Sequence, residues 1–177
     1  SQDLVSSLAN GNSADVLATA NNSTMKTAAD QKLVGNQTEF ATNVLTLIVP
    51  KGNPKKITGL DSSLDGANLV ICAPEVPCGE ATKKLAQAQG IPLKPVSEEQ
   101  KVTDVRGKVE SGEADAGIVY KSDALAEGDA VDTVDIQGAD EAVNEYPIAL
   151  VSTSTKKDYG QKWIDLVLSE EGQALLS

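Results

Sequence analysis

Val44-Leu-Thr-Leu-Ile-Val49 is the segment that most narrows the fold, because it is an apolar, β-branched run of strand length stopped by Pro50 and by Gly52-Asn-Pro54. Such a run reads as a buried strand. From there the chain alternates regularly. Strands are expected at 69–73, in a short extended piece near 93–96, and at 116–120, 133–136 and 148–151, with helices at 80–89 and 105–110. Two amphipathic helices, 160–168 and 171–176, close the chain. Upstream, Leu4, Val5 and Leu8 make one apolar face of a first helix, with Ser1 as N-cap and Asn10-Gly11 as stop signal. A short strand at 15–19 follows, then a polar stretch from Asn21 to Gln37 that carries a helix around 23–30. This order of elements is α/β organisation.

At 177 residues the chain can bury a sizeable core, in one domain or in two small lobes. With aromatic residues at only 3%, that core is built mainly of Val, Leu, Ile and Ala. The formal charge of -11 and the lack of a basic stripe argue against a nucleic-acid partner, since such binding relies on Lys and Arg displacing phosphate counterions. With no His in the chain, a Ser-His-Asp triad, a Cys-His pair and the commonest transition-metal ligand are all excluded within it. No apolar run approaches the roughly 20 residues of a membrane-spanning helix. Walker and dinucleotide glycine loops are missing, and the paired acids Glu98-Glu99, Glu113 with Asp115, and Glu170-Glu171 lie in no catalytic motif and read as solvated faces.

Two cysteines, Cys72 and Cys78, flank the Pro-containing segment 73–77. They read either as two small hydrophobes or as a disulfide, which would place the chain in an oxidising compartment. A metal site is poorly supported, because two thiols leave a tetrahedral shell incomplete.

Three places share one design, in which an extended segment or tight turn runs into a helix N-terminus: Ser1, Pro77-Cys78-Gly79 and Thr103-Asp104-Val105. Helix N-termini present backbone N–H groups and a positive dipole end, so each can hold an anion without Lys or Arg. Any one such mouth is more often merely capped; several become a site where they converge outside the carboxyl ends of a sheet's strands. Tyr120 ends the run Ala116-Gly-Ile-Val-Tyr120, and its hydroxyl reads either as the polar tip of a core-edge residue or as a donor to ligand oxygen. Arg106 and Lys121 rank below these backbone donors.

The chain resembles the periplasmic or lipid-anchored molybdate-binding proteins of ABC importers. The segments that carry the resemblance are Ser13-Ala-Asp-Val16, Phe40-Ala-Thr-Asn43, Cys72-Ala-Pro-Glu-Val-Pro-Cys-Gly79, Asp104-Val-Arg106, Ser111-Gly-Glu-Ala-Asp-Ala-Gly-Ile-Val-Tyr120 with Ser122-Asp-Ala124, Tyr146-Pro-Ile-Ala149, and Ser169-Glu-Glu-Gly-Gln-Ala174. Their order and spacing together are specific. The resemblance implies a two-lobed, periplasmic-binding-protein-like (type II) fold of mixed sheets flanked by helices. Residues 1–42 with 148–177 would form the first lobe and 43–147 the second, with the ligand cleft between them. It also implies a tetrahedral oxyanion, molybdate or tungstate, held by neutral donors only. Those donors are Ser1 as the second binding serine, the backbone of Cys78 and of Val105, and the hydroxyl of Tyr120.

The implied setting is extracytoplasmic, with a monomer delivering the anion to a membrane permease, and with no cofactor, metal or catalytic residue. The family pattern opens with a strand and an earlier serine-bearing helix mouth, which here would precede Ser1. It also often has Ala-Pro at Asn12-Ser13 and usually Asp at Asn21. Two other classes compete. An effector domain of a transcriptional regulator would follow a basic helix-turn-helix, and an enzyme would need Cys78 as nucleophile without a His base. Sulfate is the competing ligand.

Overall fold

The computed structural model of the chain describes residues 1–126 and 128–176. They form α1 (Gln2–Ala9), β1 (Val16–Ala18), α2 (Asn22–Asp30), β2 (Val34–Asn43), β3 (Leu45–Pro50), β4 (Leu69–Cys72), α3 (Pro77–Gln89), β5 (Ser97–Glu99), α4 (Val102–Glu110), β6 (Ala116–Tyr120), α5 (Lys121–Ala126), β7 (Val131–Val134), β8 (Asn144–Val151), α6 (Lys157–Leu168) and α7 (Glu170–Leu176). The expected mixed α/β architecture of sheets flanked by helices is what forms. The chain divides into two compact units, Ser1–Thr42 with Asn144–Ser177, and Asn43–Val143. No described helix is long and apolar enough to cross a membrane.

The first unit holds a three-stranded sheet in the order β1-β8-β2. β1 runs antiparallel to β8, Leu17 facing Ala149. Its core is Val5, Leu17, Met25, Ala28, Val34, Ala149 and Val151, contributed by α1, α2 and the strands. Met25 and Ala28 are fully buried, three residues apart on α2, as one helical face requires. Asn21 caps α2: its Oδ1 accepts the Thr24 N–H at 3.2 Å, and its Nδ2 donates to Ser23 Oγ at 2.9 Å. An Asn therefore does at this position the capping an Asp would do.

The second unit holds a five-stranded sheet in the order β5-β4-β6-β3-β7. β3 is the expected buried strand, lying between β6 and β7 and antiparallel to both. Leu47, Ile48 and Val49 are completely buried in it. β4 runs parallel to β5 and to β6, so those three strands end at one edge of the sheet, at Glu99, Cys72 and Tyr120. Each is followed by a helix, as parallel strands demand. α4 lies close on β6 because Gly117 has no side chain: a Cβ there would stand 2.8 Å from Val105 Cγ1 and 3.0 Å from Val109 Cγ2.

Some boundaries differ from expectation. β2 was not anticipated as a strand; its residues are mostly exposed, so no alternation of apolar side chains marks it. β5 lies at 97–99 rather than near 93–96, a three-residue polar edge strand held by main-chain pairing to β4. α5 follows Tyr120 with no intervening loop. α4 begins at Val102, three residues before the expected start, because Lys101 rather than Thr103 or Asp104 takes the extended cap conformation.

Candidate functional site

The carboxyl edge of the second unit's sheet collects three helix starts: α3 after β4, α4 after β5 and α5 after β6. This is the edge where open α/β sheets bind ligands. The geometry at α3 is set by Pro77 in the first helical turn, behind the extended cap residue Val76. Cys78 and Gly79 follow within the first turn, so their N–H groups have no acceptor inside the helix, whereas the Glu80 N–H already bonds the Val76 carbonyl at 2.9 Å. Gly79 is obligatory there. A Cβ on it would fall 1.8 Å from the Ala73 carbonyl oxygen and 2.7 Å from that of Cys72. The helix mouth thus rests directly on the main chain leaving β4.

The cysteines resolve as a disulfide between Cys72 and Cys78, with Cα atoms 5.7 Å apart, and neither thiol is free. It ties the last residue of β4 to the first turn of α3. Cys72 is fully buried and Cys78 nearly so.

At α4 the earlier start changes what Val105 offers. Val102 and Thr103 occupy the positions that lack an intrahelical acceptor, while the Asp104 N–H bonds the Lys101 carbonyl at 3.0 Å. The Val105 N–H reaches the same carbonyl at 3.4 Å, longer than an ordinary N–H···O bond, so it is only weakly committed. The Val105 side chain is fully buried against Gly117 and seats α4 on the sheet.

Tyr120 closes β6 with 5% of its surface exposed. Its N–H donates to Asp123 Oδ2 at 3.3 Å. Burial pushes the Asp123 carboxyl above its ordinary value, opposed by that N–H and by the nearby positive charge of Arg106. Lys121 is exposed and lies 3.8 Å from Asp135, an ion pair of the solvated kind. Asn43, at the start of the unit, donates from Nδ2 to Ser122 Oγ at 2.7 Å, which fastens the first turn of α5.

Ser1 belongs to the first unit, as the residue preceding α1. Its side chain does not cap its own helix; instead Ser1 Oγ accepts the Ala20 N–H at 3.0 Å. A hydroxyl that accepts through a lone pair keeps its proton to donate. Ser1 is thereby held against the turn between β1 and α2.

Cys78, Val105 and Tyr120 therefore lie along one edge of one unit, and Ser1 lies in the other unit. The edge of the second unit offers main-chain hydrogen-bond donors at the mouths of α3 and α4. Reasoning from sequence placed Gly79 in the mouth Pro77-Cys78-Gly79 without its packing role, and gave no role to Gly117 or Asp123. Pro77-Cys78-Gly79 did carry a signal for the first, since Gly two residues after a helix-starting Pro marks a close approach.

A family model described as bacterial extracellular solute-binding protein matches residues 1–177. The molybdate-binding protein ModA of Mycobacterium bovis is 41% identical over 178 residues, which span 99% of this chain and 68% of that protein. Among solved structures, the periplasmic molybdate-binding protein of Azotobacter vinelandii superposes with a TM-score of 0.75 at 16% identity, covering 99% of this chain and 81% of that one. The tungstate ABC transporter structure from Geobacter sulfurreducens gives 0.75 at 18% identity, covering 98% and 80%. At those identities the superpositions speak for the fold.

Proposed function

We propose that this chain, which belongs to the bacterial extracellular solute-binding proteins, captures molybdate or tungstate outside the cytoplasm and hands it to an ABC permease. It is a binder and not an enzyme. The observation that carries this reading is the collection of helix starts at the carboxyl edge of the second unit's sheet, beside Tyr120. The ligand's identity is supported by the 41% identity to a molybdate-binding protein across essentially the whole chain.

In this reading the donors of the second unit are the main-chain N–H groups of Cys78 and Val105 and the hydroxyl of Tyr120. Val102 and Thr103, at the mouth of α4, add to the positive potential there. Neutral donors explain how a chain of net charge -11 binds a dianion. The favourable field is local, made by oriented peptide dipoles, and the repulsion from scattered surface carboxylates is screened over about 8–10 Å.

Discrimination follows from fixed donors. A set spaced for molybdate leaves some donors unsatisfied around the smaller sulfate, and phosphate, protonated near neutral pH, brings a proton that finds no acceptor if the hydroxyls and main-chain groups all act as donors. Thermal unfolding with molybdate, tungstate, sulfate and phosphate tests the proposal. The first two are expected to raise the midpoint in a concentration-dependent way, as ligand binding to the folded state must. Equal shifts with all four anions, or none with molybdate, would reject it.

A further inference from the structure

We propose that the Cys72–Cys78 disulfide is a spacing device for the oxyanion donors, so that it sets selectivity among tetrahedral anions as well as stability. The proposal rests on the binding reading above. The bridge joins the end of β4 to the first turn of α3, and so fixes where the Cys78 N–H points. Three further contacts extend its reach. The Gly79 main chain is pressed on Ala73, leaving no room even for a methyl group. The Ala73 N–H bonds the Glu99 carbonyl at 2.8 Å, and Gln100 Nε2 donates to Glu75 Oε1 at 2.6 Å.

Glu99 and Gln100 are the residues that lead into α4, whose cap is Lys101. The segment closed by the disulfide is thus bonded to the approach of the second helix mouth. Strand β4, the bridge and the 73–76 turn together fix the separation of the α3 and α4 mouths. Without the bridge, α3 keeps its packing through Leu85, which is 1% exposed, but its first turn loses the covalent anchor. Donors free to move inward can close around a smaller anion, which erodes discrimination more than it erodes folding. Cys72 and Cys78 are positioning residues here, acting through the peptide groups they hold.

The test compares the wild-type chain with Cys72→Ala/Cys78→Ala by calorimetric titration of molybdate and of sulfate, with urea midpoints measured in parallel. The expected result is a molybdate Kd about tenfold weaker, with a smaller change for sulfate, so that the ratio of the two affinities shrinks. A merely structural bridge would leave that ratio unchanged in a folded variant, and that result overturns the proposal. Wild-type chain that binds no molybdate would instead reject the binding reading, and the spacing role with it. If the double variant does not fold, Gln100→Ala is titrated in its place, since it cuts the exposed bond to Glu75 that links the bridged segment to the approach of α4 and leaves the disulfide intact. The same shrinkage of the molybdate-to-sulfate affinity ratio is expected, of smaller size. An unchanged ratio in that folded variant overturns the proposal by that route.

Discussion

Gly79→Ala and Gly107→Ala make the same chemical change in successive helices of one unit, and they are expected to act in opposite directions. In α3, the added methyl of Gly79→Ala starts 1.8 Å from a main-chain carbonyl oxygen. An unstrained carbon–oxygen contact needs about 3.3 Å, so the first turn of α3 must retreat by about 1.5 Å. The neighbouring disulfide resists that movement. Overpacking of this kind costs about 3 kcal/mol, at the upper end for one added methyl group because the obstacle is backbone. A shift that large also carries the Cys78 N–H out of hydrogen-bonding range, worth about 1 kcal/mol of anion affinity. Gly107 lies within α4 with no atom within 4 Å of its would-be Cβ, and its φ is ordinary. There the substitution removes unfolded-state entropy and gains about 0.5–1 kcal/mol. Urea unfolding at constant m-value measures both. Far-UV circular dichroism and hydrogen exchange over α3 and α4 are the suitable probes, because Trp163 sits in the first unit and reports on that unit. Gly79→Ala within 0.5 kcal/mol of wild type, or a destabilising Gly107→Ala, would refute the reasoning.

Tyr120→Phe removes one buried hydroxyl and is expected to weaken molybdate binding by about 1–2 kcal/mol in calorimetry, with unchanged affinity ruling out its role. The Glu99 carboxyl is held below its ordinary value of 4.5 by hydrogen bonds from Lys108 first and Ser97 second. Its contribution is therefore present above pH 4.5 and lost as pH falls through the lowered value, and Lys108→Met should flatten that acid limb of the urea midpoint. Asp123 behaves in the opposite sense. Its carboxyl is raised above 3.8 by burial, so its contribution is full below pH 3.8 and is lost as pH rises through the raised value. Asp123→Asn keeps an acceptor for the Tyr120 N–H and should raise the unfolding temperature at pH 7; a lowered one would show that the attraction of the nearby Arg106 charge outweighs the cost of burial.

The parts legible in the sequence are those whose burial is uniform along a strand. Residues 44–49 and 116–120 announce themselves because both strands lie inside the five-stranded sheet, and no side chain in Ala116–Tyr120 faces water. β2 and β5 are polar strands held by main-chain pairing, and pairing leaves no trace in side-chain pattern. At α3 the mouth Pro77-Cys78-Gly79 was readable, but the helix was expected from residue 80 and begins at Pro77, which fixes the first turn chemically. The start of α4 was likewise expected three residues late, since Thr103 and Asp104 look like better caps than Lys101. The consequence falls on Val105: its side chain anchors the helix on Gly117, and its N–H is a donor one turn deeper than the spacing suggested. The helix mouths could be inferred singly, but their shared edge depends on β4, β5 and β6 being parallel, a long-range fact that no local pattern encodes.

A crystal structure grown with molybdate tests the central claim most directly, because anomalous scattering from molybdenum locates the anion independently of its surroundings. The account predicts one molybdenum position at the carboxyl edge of the second unit's sheet, with anion oxygens within about 2.7–3.2 Å of the Cys78 and Val105 nitrogens and the hydroxyl of Tyr120, and with no Lys or Arg in contact. Molybdenum bound elsewhere, or held at this edge by Arg106 or Lys121, would contradict it.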